Sequence, residues 1–238
     1  MLRRLNMPML ALLLVGLLPG LAAADEDARQ IERRLVRLEQ RMSGEGAGEL
    51  RRYGHSVEQL ETILEKGEYL HFRRFVEERI VARWRLVDAM FVMQLASAPP
   101  SELAPQQVVT LRENELHVQR IHQSLRRARR LLARVEKLHS ETRRRAAALE
   151  QMRRQHQRLL ADLERLAPAA AAPHRDWLAG TFTPQWRTLR ARDRVVGEKA
   201  ERLLRWTEEP ALRPMLRQLN RVTQALERIR RHYQAHRP

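Results

Sequence analysis

The chain of 238 residues contains no cysteine, and only 5% of its residues are aromatic. Without cysteine it can form no disulfide, and it offers neither a cysteine nucleophile nor a cysteine for lipid attachment. Strand signals are nearly absent, whereas 31% of the residues are charged. This balance is typical of long helices rather than of sheets. The sequence therefore predicts an all-α protein.

The usual patterns of a catalytic site are also missing. None of the serines lies in a Gly-x-Ser-x-Gly turn, although Gly54–His55–Ser56 places a histidine beside a serine. Neighbouring residues on a helix point about 100° apart, so these two cannot share a proton directly. The paired carboxylates Glu77–Glu78 and Glu208–Glu209 have arginine neighbours at helical spacing, which favours ion pairs. We expect no enzymatic activity and no cofactor.

A metal site has one weak candidate, His232 and His236 near the C-terminus. Histidines four residues apart share a helix face and could supply two ligands to zinc or copper. No Asp, Glu or Cys stands beside them to complete a tetrahedral site. His156 falls on an apolar stripe, and we interpret it as a polar core position rather than a ligand.

Residues 1–24 have the pattern of an export signal. Arg3 and Arg4 precede an apolar run from Met7 to Leu18, and Pro19–Gly20 then interrupts the expected helix. Ala22 and Ala24 occupy the −3 and −1 positions of a peptidase site, which predicts cleavage after Ala24 and a periplasmic product. The alternative is an uncleaved membrane anchor, since about 18 apolar residues nearly cross a bilayer core.

Positive charge is concentrated in the second part of the chain. The whole sequence carries 45 basic and 29 acidic residues, and only Lys66, Lys137 and Lys199 are lysines. Residues 25–100 are nearly balanced, with 13 basic and 14 acidic side chains, whereas residues 101–238 hold 30 basic and 15 acidic ones. Codon bias could explain the preference for arginine, but it does not explain this uneven distribution.

The predicted segments follow from helical periodicity and its interruptions. Residues 25–97 form an N-terminal helical segment, with a glycine-rich turn after Met42 and a buried helix over 68–97 that is apolar nearly all round. A Pro-rich linker follows at 98–104. A long basic coiled-coil helix spans 105–167, and its 60 or so residues predict a rod of roughly 90 Å. An Ala/Pro linker at 168–183 leads into a C-terminal helical hairpin at 184–238.

The long helix carries an arginine-rich face. Its apolar stripe begins Val118, Ile121, Leu125, and a three-residue step from Leu149 to Met152 predicts a local disturbance of the supercoil. The arginines expected on the flanks and outer face are Arg120, Arg126, Arg127, Arg129, Arg130, Arg134, Arg143, Arg144, Arg145, Arg153, Arg154 and Arg158. Guanidinium groups bind phosphate and carboxylate at two points, so this face predicts a polyanionic partner. The alternative is a solvated face, or one neutralised by glutamates of neighbouring helices.

Together these features predict an elongated helical bundle or coiled coil, with one helix of about 60 residues and shorter helices packed along it. Homo-oligomerisation through the heptad stripe fits the same pattern. The function we expect is an exported scaffold or adaptor of the bacterial cell envelope, bound to an envelope protein or an anionic envelope component, with at most peripheral membrane contact. The alternatives are a chaperone-like periplasmic holdase and, if the export signal is misread, a nucleic-acid-binding protein.

Overall fold

The computed structural model describes residues 8–210 and 212–235, and these are almost entirely helical, with no strand among them. The all-α prediction is confirmed. Residues 1–7 of the predicted signal and His236 of the predicted histidine pair lie outside the described residues. No helix within the described part combines the length and the apolar character that crossing a membrane requires.

The N-terminal region consists of helix α1 (Pro8–Arg41), a π-helical turn (Met42–Gly46) and helix α2 (Ala47–Glu65). Helix α1 runs through Pro19 and Gly20, where the sequence predicts an interruption. A proline removes one hydrogen bond from a helix without forcing the chain out of it. The predicted glycine turn is likewise a wide helical turn, because none of its glycines adopts a positive φ.

The buried helix predicted over 68–97 is divided in the structure. Short helices α3 (Gly67–Leu70) and α4 (Phe72–Val76) lead into a π-helical turn (Glu77–Val81) and helix α5 (Ala82–Leu86). The chain is then extended at Val87, and α6 (Ala89–Ser97) begins where the Asp88 carboxylate accepts a hydrogen bond from the Phe91 backbone amide at 3.1 Å. The prediction of one continuous helix is wrong because this N-cap starts a new helix. The segment is also incompletely buried, since Leu86 and Met90 are 66% and 73% exposed.

The long helix is present as α7 (Pro105–Leu166), with 62 residues. The six stripe positions from Val118 to Val135 are buried as predicted. Farther along, the stripe passes through His139 and Leu160 rather than Leu138 and Leu159. The buried positions on α7 are Leu111, Asn114, Val118, Ile121, Leu125, Ala128, Leu131, Leu132, Val135, His139, Thr142, Ala146, Leu149, His156, Leu160 and Leu163. Because Arg153 is half-buried, the inward-facing positions of α7 keep their spacing of three and four residues past Leu149. The sequence predicts a disturbance of the supercoil at this point.

Residues 168–183 form helical structure rather than the predicted linker. Helix α8 (Pro168–Trp177) and a π-helical turn (Leu178–Phe182) lead directly into α9 (Thr183–Leu204). The residue before a proline is disfavoured in the α conformation, so Ala167 leaves the helical conformation and ends α7. Pro168 then occupies the first turn of α8, where its missing amide is not needed, and the alanines that follow are strong helix formers. A short 3₁₀ turn (Arg205–Glu208) separates α9 from α10 (Leu212–Ala235).

The chain divides into two compact units, each built from distant stretches of sequence. Unit 1 comprises the residues up to Val57 together with Glu141–Arg194, and unit 2 comprises Glu58–Ser140 together with the residues from Val195 onward. Each unit has its own core. Unit 1 packs around Leu35, Tyr53, Leu149, Leu163 and Trp186, and unit 2 around Leu60, Ile80, Ile121, Val135, Leu219 and Val222.

Candidate functional site

The twelve predicted arginines lie on the solvent side of α7. Ten are exposed, and Arg145 and Arg153 are half-buried. This placement follows from the heptad stripe, because residues between the buried positions must face outward. Their surroundings then separate the arginines into a neutralised set and an unpaired set.

Carboxylates neutralise the first set. In unit 2, Arg127 forms an ion pair with Glu68 of α3, and its guanidinium lies 5.6 Å from the centre of the Phe75 ring. In unit 1, Arg145 donates to Glu49 of α2 at 2.6 Å and to Glu141 at 2.7 Å. For these two arginines the glutamate of a neighbouring helix supplies the counter-charge.

Glu150 neutralises two further arginines one turn away on α7. Arg153 Nη2 and Arg154 Nε each lie 2.8 Å from its Oε1. The hydrogen bond from Arg153 is the main reason that the pKa of Glu150 falls to about 2. Arg143 also has an interaction partner.

The second set has no ion pair among the described residues. In unit 2 it consists of Arg120, Arg126, Arg129, Arg130 and Arg134, and in unit 1 of Arg144 and Arg158. The unit 2 arginines lie within four turns of one helix, and all five are exposed. The charge of this group is therefore available to a ligand.

The neighbouring His122 responds to this local charge. Its Nε2 lies 2.8 Å from the hydroxyl of Thr223, which itself donates to the Leu219 carbonyl at 2.7 Å. With its proton committed to that carbonyl, the hydroxyl accepts from the imidazole. Burial lowers the pKa of His122, and the positive charges of Arg126 and Arg129 lower it further. A protonated His122 would add one more positive charge to an already crowded face.

A buried polar cluster in unit 1 joins three sequence-distant residues. Oε1 of Glu39 lies 2.9 Å from Nε2 of His156 and 2.8 Å from Nδ1 of His174. His156 is fully buried, as expected of a polar core position, and its ring lies 5.4 Å from that of Trp177. Both imidazoles donate to the one carboxylate oxygen when Glu39 is ionised. His156 Nδ1 is buried with no hydrogen-bond partner in the described part of the chain.

This arrangement favours the neutral form of His156. Protonation would place a second N–H at Nδ1, where no acceptor among the described residues meets it. Burial lowers the pKa of His156, although the Glu39 carboxylate acts in the opposite direction. The sequence indicated His156 alone, because nothing in it connects Glu39 with histidines 117 and 135 residues away.

A second polar network in unit 1 lies beside the buried Tyr53. Arg190 donates to Asp193 at 2.6 Å, and its guanidinium lies 5.6 Å from the centre of the Trp186 ring. The Tyr53 side chain is fully buried, and this burial raises the pKa of its hydroxyl well above the ordinary range. The groups join α2 to α9 in the core and offer no accessible nucleophile.

The other predicted features stay apart from these clusters. Ser56 Oγ donates to the Arg52 carbonyl at 3.0 Å, so its hydroxyl is directed to the backbone of its own helix. His232 packs edge-on against Tyr233, with ring centres 5.8 Å apart. Within residues 8–210 and 212–235, no group of three His, Cys, Asp or Glu side chains is placed to hold a metal ion.

What the described surface can do chemically is bind anions through the unpaired arginines of α7.

The chain matches no protein-family model, no curated protein and no solved structure.

Proposed function

We propose that this protein is an exported, non-enzymatic scaffold or adaptor of the bacterial cell envelope, whose basic face on α7 binds an anionic partner or surface. In this proposal the shorter helices pack along α7 as in an elongated coiled coil. The observation that carries it is a group of five exposed arginines in unit 2 that have no carboxylate partner among the described residues: Arg120, Arg126, Arg129, Arg130 and Arg134.

The contrast between the two arginine sets supports binding over a merely solvated face. Glu49, Glu141 and Glu150 neutralise arginines farther along α7, and Glu68 of α3 neutralises Arg127. Between residues 120 and 134, however, the helix contains no acidic residue. A planar guanidinium binds phosphate or carboxylate oxygens through two parallel hydrogen bonds. Several of them on adjacent turns favour a ligand with repeated negative groups, such as an anionic lipid surface.

Vesicle binding tests this surface. Full-length protein is sedimented with vesicles of anionic phospholipid and with vesicles of zwitterionic phospholipid over a range of salt concentrations. The wild type should bind the anionic vesicles, and binding should weaken steeply with salt because exposed charges are screened. The fourfold variant R126E/R129E/R130E/R134E should bind at least about tenfold more weakly, since each basic residue near an anionic surface contributes about 1 kcal/mol.

A matched control comes from α10. Arg213, Arg217, Arg221 and Arg228 are also exposed residues of unit 2, and reversing them changes the net charge by the same amount. Loss of binding in the α7 variant but not in the α10 variant supports the proposal. Equal loss in both would mean that only total charge matters. Stronger binding to duplex DNA than to vesicles, dependent on the α7 arginines, would favour the nucleic-acid alternative.

The adaptor role is tested by crosslinking in cells. A photoreactive residue at Arg120 should capture one recurrent envelope protein or envelope lipid. Capture of many unrelated unfolded proteins would instead favour the holdase function.

A further inference from the structure

A groove with an apolar floor lies within unit 2, where α3 and α4 face the junction between α9 and α10. Its volume is about 480 Å³, and it is open to solvent along one side. The floor is formed by Tyr69, Phe72, Val76, Leu203, Trp206 and Leu212. Phe72 packs edge-on against Trp206 with ring centres 5.5 Å apart, which fixes the middle of the floor.

The groove continues into a second one along the same face. This neighbour has a volume of about 690 Å³ and shares five lining residues with the first: Leu70, Arg73, Val76, Glu209 and Leu212. Leu70 stands at the lip between them and is 63% exposed. The joined surface therefore combines an apolar floor with a more charged extension, and it suits an elongated occupant better than a compact small molecule.

The rim of the first groove is positively charged. Arg73, Lys199 and Arg202 line it, and Glu209 is its acidic residue. None of the three basic side chains forms an ion pair with a described residue, although Arg202 Nε lies 3.4 Å from the Glu198 backbone carbonyl. In the neighbouring groove, by contrast, Arg74 is paired with Glu78 and Arg85 with Glu77. Positive charge without a counter-ion is thus concentrated around the apolar floor.

We propose that this groove is the docking site for an acidic amphipathic helix of a partner protein. Apolar side chains at helical spacing on the partner would enter the floor, as in other helix-in-groove complexes. Its Asp and Glu side chains would face Arg73, Lys199 and Arg202, and this charge complementarity sets which helices are accepted. A helix suits the open side of the groove better than an acyl chain does, because lipid tails are normally enclosed.

Three synthetic helical peptides of equal length test this occupant by fluorescence anisotropy against the full chain at about 150 mM salt, where the Debye length is near 8 Å. The first carries leucines on one face and glutamates on the other. The second replaces the glutamates with lysines, and the third replaces the leucines with serines. We expect the first peptide to bind at least about tenfold more tightly than the other two, since both its apolar and its charged contacts are needed.

Matched variants locate the binding. L70D and the double variant R73E/R202E should each weaken binding of the leucine–glutamate peptide by about tenfold, which corresponds to roughly 1.4 kcal/mol. L86D is the control for the first, because Leu86 is 66% exposed in the same unit and lies outside both grooves. R217E/R221E is the control for the second. All four alter exposed residues, and circular dichroism checks that each keeps its helix content.

Several results would overturn the proposal. They are equal binding of the leucine–glutamate and serine–glutamate peptides, equal effects of L70D and L86D, or an L70D-sensitive association of anionic vesicles without peptide binding. A dimer that L70D converts to monomer would assign the groove to a second copy of the chain. In the fourfold α7 variant, L70D should still weaken binding of the leucine–glutamate peptide by about tenfold, which separates this site from the arginine face.

Discussion

At the scale of single residues, the most informative feature is a carboxylate shared by two buried histidines. Glu39 accepts from His156 and His174 inside the unit 1 core. A buried polar group needs its partner, because an unsatisfied donor costs about 1–3 kcal/mol. The pairing therefore fixes where α1, α7 and α8 lie in that core, in a way that apolar contacts alone would not.

This cluster predicts that the protein loses stability in mild acid. The folded pKa of His156 lies below its ordinary value of 6.5. As the pH falls through about 6.5, His156 binds a proton in the unfolded chain but stays neutral in the folded one. The free energy of unfolding therefore decreases. The decrease ends once the pH is below the folded pKa. His122 in unit 2 contributes with the same sign, because burial and Arg126 lower its pKa as well.

Urea unfolding between about pH 7.5 and pH 5 measures this dependence. The H156Q variant should show a shallower decrease than the wild type, since glutamine can still donate to Glu39 but cannot be protonated. H122Q should remove the part of the decrease that arises in unit 2. The decrease in H156Q/H122Q should be shallower than in either single variant. An H156Q profile as steep as that of the wild type would contradict the assignment.

At the scale of helices and turns, regular periodicity was readable from the sequence and its interruptions were not. The long helix α7 and its outward arginines follow from the absence of Pro and Gly and from heptad spacing. By contrast, the sequence predicts a linker at 168–183, because Pro168 and Pro173 flank its four alanines. A proline in the first turn starts a helix as readily as it ends the one before it.

The ion pairs between sequence-distant residues of the site could not be predicted from the sequence either. The sequence shows which α7 arginines point outward. Which of them is neutralised depends on Glu49 and Glu68, which lie 96 and 59 residues away from their partners Arg145 and Arg127. The Asp88 N-cap that divides 68–97 is a local helix-start signal. It stands within an apolar segment that reads as one continuous helix.

The glycines at the α1–α2 junction give a prediction at this scale. A Cβ added at Gly48 would meet no atom of the described residues within 4 Å, whereas one added at Gly46 would lie 3.3 Å from Met152 Cε and 3.6 Å from the Arg41 carbonyl. Both residues have helical backbone without positive φ. G48A should therefore raise the free energy of unfolding by about 0.5–1 kcal/mol, the usual gain for alanine over glycine in a helix.

G46A is the matched comparison, because alanine brings the same gain in helix propensity there but its Cβ would crowd Met152. We expect it to be less stable than G48A by at least about 0.5 kcal/mol in chemical unfolding. Equal stabilisation by the two substitutions would show that the turn does not require a close approach at Gly46.

At the scale of the whole molecule, sequence order and spatial organisation differ. The sequence divides the chain into consecutive segments, but each unit combines an early stretch with a late one. Long helices make this possible, since α2, α7 and α9 each contribute residues to both units. A local change in any of these helices can consequently affect two cores, so variants at exposed positions are the better probes of binding.

The compartment in which the molecule works decides how its charge is interpreted. With 45 basic and 29 acidic residues, the chain would meet nucleic acid as the dominant polyanion in the cytoplasm and anionic lipid or envelope components after export. Expression in a Gram-negative host with N-terminal sequencing of the periplasmic fraction tests this. We expect a chain that begins at Asp25, because Ala22 and Ala24 fit the small-residue positions of the peptidase site.

Substitutions around that site make the result specific. A22L or A24L should leave an uncleaved chain in the membrane fraction, since the −3 and −1 positions accept only small side chains. A23L is the control, because the −2 position faces no such restriction, and it should be processed like the wild type. An uncleaved wild-type chain in the membrane would identify an anchor and keep the arginine face beside a lipid surface. A wild-type chain retained in the cytoplasm would remove the envelope ligand altogether, and the same five unpaired arginines of α7 would then have to be tested against nucleic acid.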